Sequence, residues 1–158
     1  MARTSLPDGA HMVAQNRKAW HNYFIEESIE AGMVLTGTEV KSLRAGHATL
    51  GDAYAVEKGG EMFLVNAHIS EYAGGNVENH APLRERKLLL HRREIARLID
   101  ATQRRGMTVV PLALYFNARG VAKVNLGIAK GKRQYDKRAT IKDREWKREK
   151  ARLMKDRN

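Results

Sequence analysis

The chain has no cysteine, three prolines in 158 residues, few aromatics (6 %) and no apolar run near the ~20 residues that a bilayer crossing needs. Without cysteine there are no disulfides, thiolate metal sites or cysteine nucleophiles, and nothing calls for an oxidising compartment. Met1 to Ala10 has no apolar core of the signal-peptide kind. A cytoplasmic protein with no membrane partner is the expectation. The six histidines, at 11, 21, 47, 68, 80 and 91, include no i, i+4 pair and no H-E-x-x-H motif. The serines at 5, 28, 42 and 70 lack a nucleophile-elbow context. No metal, cofactor or catalytic residue is expected, and so no enzymatic activity.

What the chain does have is positive charge: 29 Lys+Arg against 18 Asp+Glu, a formal net charge of +11. Such an excess points to a polyanionic partner, nucleic acid first. It is unevenly placed, because Gly127 to Asn158 carries 13 basic and 5 acidic residues, net +8, which leaves net +3 for the first 126 residues. Length and charge together suggest one domain with an appendage: a disordered leader at 1–12, a barrel domain at 13–129 and a basic tail at 130–158. After Ile128 the large apolar residues are only Tyr135, Ile141, Trp146, Leu153 and Met154, too few to order a segment by burial.

In the body, Tyr23-Phe24-Ile25 and Met33-Val34-Leu35 read as two strands joined near Ala31-Gly32, and Thr38 to Ala45 as a short helix ending at Gly46. Ala53 to Glu57 and Met62 to Ile69 flank Lys58-Gly59-Gly60-Glu61 as a second hairpin. Ile95, Leu98, Ile99 and Thr102 give His91 to Arg105 a helical apolar face opposite five arginines, with Gly106 as the stop. Val110, Leu112, Leu114 and Phe116 alternate, as do Ala122, Val124, Leu126 and Ile128, across a turn at Asn117 to Gly120; Pro111 calls for an edge or a bulge. The fold class is therefore mainly β, a small antiparallel barrel with two or three inserted helices.

Gly127-Ile-Ala-Lys-Gly131-Lys132 imitates a phosphate loop but has three residues between its glycines where four are needed, and Arg133 follows the lysine in place of Ser or Thr. It reads instead as a flexible cationic segment leaving the last strand. Glu26, Glu27 and Glu30 offer paired carboxylates, or simply a solvated face that limits indiscriminate RNA binding. The tail from Thr140 onward contains helix formers without Gly or Pro, a capping-box pattern Thr140-x-x-Asp143, a basic stripe of Arg144, Arg148 and Arg152, and an apolar side of Trp146, Leu153 and Met154. Charge alone leaves two readings of it: a segment that becomes helical against RNA, or a solvated helix laced by ion pairs such as Asp143 with Lys147.

Asn16-Arg-Lys-Ala19, Tyr23-Phe-Ile-Glu-Glu27, Gly37-Thr-Glu-Val-Lys-Ser-Leu-Arg44, Arg86-Lys-Leu-Leu-Leu-His91, Leu114-Tyr-Phe116 and Ala129-Lys-Gly-Lys-Arg-Gln-Tyr-Asp-Lys-Arg138 resemble, in order, the small protein B (SsrA-binding protein) family of bacteria. The likeness runs from about Val13 to the C-terminal end. It implies an oligonucleotide-binding (OB)-like barrel that binds the tRNA-like domain of transfer-messenger RNA and serves trans-translation, the rescue of stalled ribosomes. It implies a monomer that supports, through the RNA, charging by alanyl-tRNA synthetase and delivery by elongation factor Tu. The tail would be disordered when free and helical in the empty messenger channel of the ribosome, near the decoding centre.

By position, the resemblance puts Asn16, Arg17, Lys18, His21, Tyr23, Glu30, Leu89, His91 and Lys123 on the RNA-facing barrel surface. Lysine and arginine suit phosphates, Asn and His suit ribose or base edges, and aromatic rings suit stacking. Glu30 is then set apart from Glu26 and Glu27, since a carboxylate can accept from base amino groups. Leu89 can be core or surface, because Leu88 and Leu90 are apolar too, and Tyr23 can be a core aromatic. The decoding-centre segment would be Lys130, Gly131, Lys132, Arg133, Tyr135, Asp136, Lys137 and Arg138, followed by Arg144, Trp146, Arg148, Arg152, Leu153 and Met154. The different reading is a structural ribosomal protein that threads ribosomal RNA with the same tail.

Overall fold

A computed structural model describes residues 6–74, 78–132 and 144–154. In chain order its elements are β1 (His11–Gln15), α1 (Arg17–Asn22), β2 (Tyr23–Met33), α2 (Gly37–Arg44), β3 (Ala48–Thr49), β4 (Tyr54–Lys58), β5 (Glu61–Val65), β6 (His68–Ile69), β7 (Arg86–Leu89), α3 (Arg92–Gln103), β8 (Thr108–Phe116) and β9 (Ala122–Gly131). Residues 144–154 form a further helix, α4. The large sheet runs β1-β8-β4-β5-β7-β2-β9, and β9 also pairs with β8, which closes the ring. Closure removes free edges from the ring strands. β1 lies along the length of β8 that β4 leaves open, and β3 with β6 makes a separate two-stranded ribbon. Every pairing is antiparallel, so the expected mainly β barrel with short helices is the one observed.

Several local expectations are corrected. Tyr23 to Met33 is one strand of 11 residues and not two strands around a turn at Ala31-Gly32. Alternation continues through Glu26 to Glu30, and the irregularity is a bulge between Ile25 and Glu27 against β9. β1 begins at His11, inside the stretch read as leader, because its backbone completes the free edge of β8. β9 runs to Gly131, so Lys130 and Gly131 stand on the last strand and not in the tail. The strand read as Met62 to Ile69 stops at Val65. Asn66 takes a left-handed conformation (φ 61°), after which His68–Ile69 turns to pair with β3.

β8 is buried on both faces, against the one-sided alternation expected of it. Its inward residues join the main core with Leu64, Leu88, Leu98, Val124 and Leu126. Its other side is covered by α1, where Ala19, Val110, Leu112 and Ala129 form a second cluster under Trp20, Tyr23 and Ile25. Pro111 fits because the register with β9 shifts between Pro111 and Ala113, a bulge of the kind the sequence called for.

Within the described residues, the side chains of Glu39 and Arg86 are both fully buried and bonded to each other, Arg86 Nε to Glu39 Oε2 at 2.5 Å. Arg84 donates to the other oxygen of Glu39 (2.5 Å) and to the Val34 carbonyl (3.0 Å) at the end of β2. Arg86 also donates to the carbonyls of Ala67 (2.6 Å) and Pro82 (3.1 Å). Glu39 closes a capping box with Thr36 at the start of α2. The network thus ties α2, the 66–85 connection, β2 and β7 together. Burial alone would raise the Glu39 carboxyl, but hydrogen bonds from Arg84, the Thr36 amide and Arg86, with the charge of Arg86, outweigh it and hold the pKa at about 2.

Glu39→Gln should cost roughly 3–5 kcal/mol at neutral pH, because it strands a buried guanidinium. A carboxyl with a lowered folded pKa stabilises above its unfolded value of 4.5 and loses that effect as pH falls towards 2. Urea denaturation of wild type and variant across that window should show the gap between them narrowing as pH falls.

Candidate nucleic-acid interface

The cross-strand register sets the outer face of the barrel. Leu89 of β7 faces Gly32 of β2, Gly32 faces Lys123 of β9, Lys123 faces Tyr115 of β8, and Tyr115 faces Met12 of β1. Residues directly opposite one another share a face, so one row crosses five strands. The next row holds Glu30, Asn125, Ala113 and Gln15. Between these rows, Ala31, Val124 and Leu114 point inward and are buried.

Glu30, Leu89, His91 and Lys123, all predicted from sequence, border one open hollow of ≈ 400 Å³ together with Gly32 and Glu94. Gly32 makes its floor: a Cβ there would lie 3.3 Å from Leu89 Cβ and 3.6 Å from Lys123 Nζ. The question left open for Leu89 is settled by alternation, since Leu88 is fully buried and Leu89 is 52 % exposed. His91 is exposed and precedes α3, its backbone N–H donating to Glu94 (2.9 Å).

A second hollow of ≈ 280 Å³ is lined by Asn16, Lys18, Tyr23, Asp52, Tyr54 and Thr108 among others. Asn16 lines it but is 3 % exposed, and its carboxamide is already engaged. Its oxygen accepts from the Ala19 N–H at the start of α1 (3.2 Å), and its amide donates to the Pro111 carbonyl (2.8 Å). The structure therefore makes Asn16 a clamp between α1 and β8, with little of its side chain exposed at the hollow. Tyr23 is half-buried: it packs on the second cluster and also lines this hollow. Arg17, Lys18 and His21 are exposed on α1; Lys18 pairs loosely with Asp52 (3.5 Å), a surface pair too weak to withhold it from a phosphate.

Glu26 and Glu27 are separate from this site. They pair with Arg105 (2.6 Å) and Arg97, which ties the middle of α3 and the turn after it to β2. Sequence reasoning missed Tyr115, whose buried hydroxyl donates to Glu30, and Tyr54 of the second hollow. Tyr115 was legible in principle, since it alternates with the inward-facing Leu114 and Phe116.

Lys130 and Gly131 are exposed at the end of β9. The Lys132 N–H donates to the Asn22 carbonyl (2.9 Å) and its ammonium lies 5.0 Å from the Phe24 ring centroid. Arg133, Tyr135, Asp136, Lys137 and Arg138 lie outside the described residues, as does the cap Thr140-x-x-Asp143. Arg144, Trp146, Arg148, Arg152, Leu153 and Met154 are on α4, which is exposed at every residue. Trp146, Leu153 and Met154 are each 60–64 % exposed. Among the described residues no group of His, Asp or Glu could hold a metal, and no helix is long and apolar enough to cross a membrane.

A closed antiparallel barrel whose outer face gathers cations, rings and carboxylates around shallow hollows defines a class: a β-barrel protein of the RNA-binding kind. Comparison with known proteins narrows it. A family model described as SmpB protein matches residues 13–156. An SsrA-binding protein of Novosphingobium aromaticivorans is 57 % identical over 158 residues, covering 99 % of each chain. One from Chelativorans sp. is 58 % identical over 145 residues, 92 % of this chain and 94 % of that one. A solved chain described as "tmRNA-SmpB: a journey to the center of the bacterial ribosome" superposes with a TM-score of 0.66 at 47 % identity, covering 80 % of this chain and 92 % of that one. The chain belongs to the SmpB protein family.

Asn16→Ala should lower stability by about 2 kcal/mol in urea denaturation, from the lost cap and an unmatched buried carbonyl at Pro111. Unchanged stability with weakened RNA binding would return Asn16 to the interface.

Proposed function

We propose that this chain is a non-enzymatic adaptor that binds the tRNA-like domain of transfer-messenger RNA (SsrA RNA) through its barrel and brings it to stalled ribosomes for trans-translation. The observation that carries the reading is the meeting of Glu30, Leu89, His91 and Lys123 around one hollow, from three strands and the start of a helix. Lys123 supplies phosphate attraction, Leu89 an apolar wall for a base or ribose, His91 a ring, and Glu30 an acceptor that discriminates. Arg17, Lys18 and His21 extend the surface along α1. The relatives' name, SsrA-binding protein, supports the RNA, and the solved neighbour's description supports the ribosome.

In this reading Lys130 to Arg138 lies near the decoding centre and α4 lies in the empty messenger channel, with Trp146, Leu153 and Met154 against its wall and Arg144, Arg148 and Arg152 toward phosphates. The protein acts as a cytoplasmic monomer, and alanyl-tRNA synthetase and elongation factor Tu meet it through the RNA.

Affinity for the tRNA-like domain of transfer-messenger RNA and for bulk tRNA, measured across a salt series, tests the reading. Phosphate contacts weaken with salt for both RNAs, so a preference for the first should persist as both affinities fall. Equal affinity at every salt concentration would overturn it. Separately, a chain lacking residues 136–158 should keep that binding and fail to support tagging of stalled peptides; loss of RNA binding with the tail would show that the barrel is not the recognition element.

A further inference from the structure

Tyr115 is 2 % exposed, yet its hydroxyl reaches out of the sheet and donates to Oε2 of Glu30. The pair spans three strands: Tyr115 on β8 stands opposite Lys123 on β9, and Glu30 on β2 stands opposite Asn125, one step along the same face. Glu30 is otherwise exposed, and among the described residues its second oxygen, Oε1, has no hydrogen-bond partner. A free glutamate on a strand samples many rotamers and must be immobilised when a ligand binds. Here one oxygen is tied to a buried donor, and Glu30 borders the hollow shared with Leu89, His91 and Lys123.

We propose that Tyr115 is a positioning residue for RNA recognition: it holds the Glu30 carboxylate in one rotamer, with Oε1 presented to the RNA as an acceptor. The inference rests on the adaptor reading and gives its carboxylate a fixed geometry. Tyr115 touches no RNA itself; its effect passes entirely through Glu30. Burial, and then the hydrogen bond and charge of Glu30, raise the Tyr115 pKa above the ordinary phenol value, so the hydroxyl stays a donor at neutral pH. Removing that hydroxyl leaves the ring and its packing in place but releases the carboxylate.

The test is a double-mutant cycle on the full chain, read as Kd for the tRNA-like domain of SsrA RNA by fluorescence anisotropy, with melting curves as the folding control. Tyr115→Phe should weaken binding about tenfold, the scale of a hydrogen bond to a charged group. Glu30→Gln should weaken it at least as much, and the double variant should bind no worse than Glu30→Gln alone, because Tyr115 has no route but Glu30. Tyr115→4-aminophenylalanine, which restores a donor at the end of the ring, should recover most of the loss and also guards against misfolding of Tyr115→Phe. Wild-type affinity in Tyr115→Phe, losses that add in the double variant, or no recovery with the restored donor would each overturn the positioning role. A wild-type chain that does not prefer SsrA RNA over tRNA would sink the functional reading, a result distinguishable from any of these.

Discussion

Strand β9 is hydrogen-bonded along both edges, to β2 from Tyr23 to Gly32 and to β8 from Thr108 to Phe116. That double pairing closes the ring, and the surface depends on it. With β9 fixed, Val124, Leu126 and Ile128 must face the core, so Lys123 and Asn125 must face outward, between Gly32 and Tyr115 on one row and between Glu30 and Ala113 on the next. A slip of one residue would invert every one of these choices. Two bulges, at Ile25/Glu27 and Pro111/Ala113, occur in the partner strands, and an added Cβ at Gly127 would lie 3.0 Å from atoms of the Leu112 side chain. A side chain at this glycine of the imitated phosphate loop would thus have to displace the buried Leu112.

Charge is sorted by the fold. In the barrel the acidic residues take partners: Glu39 holds Arg84 and Arg86, Glu27 holds Arg97, and Glu26 holds Arg105. These pairs neutralise arginines that would otherwise bind polyanions without discrimination, while Lys18 on α1 and Lys123 on β9 border the shallow hollows. In the proposed function, recognition on such a surface rests on shape, stacking and a placed acceptor. The stretch from Gly127 to Asn158 carries net charge of +8, and its helix α4 is exposed at every residue, a form suited to a long-range electrostatic grip.

Much of this was legible in the sequence. Alternation in Val110 to Phe116 and Ala122 to Ile128 identified the two strands that close the ring, and the apolar stripe of Ile95, Leu98 and Ile99 identified α3. What periodicity could not supply was context outside the strand itself. Gly32 looks like a turn but serves the close approach of Leu89, and β8 looks one-sided because the helix covering its second face comes from residues 17–22. The RNA-facing set came from family resemblance. The structure gathers Glu30, Leu89, His91 and Lys123 and buries Asn16, whose polar side chain suits a buried clamp as well as a base edge. The Glu39–Arg86 pair joins residues 47 apart, a separation that no local pattern reveals.

The central claim is that recognition of the RNA belongs to the outer face of the barrel and not to the basic tail. Hydroxyl-radical footprinting of the full chain, read by mass spectrometry with and without the tRNA-like domain of SsrA RNA, tests it most directly. Leu89 and His91 should be protected on binding, while Trp146, Leu153 and Met154 stay as reactive as in the free chain. Protection confined to the tail residues, with Leu89 and His91 unchanged, would contradict the account.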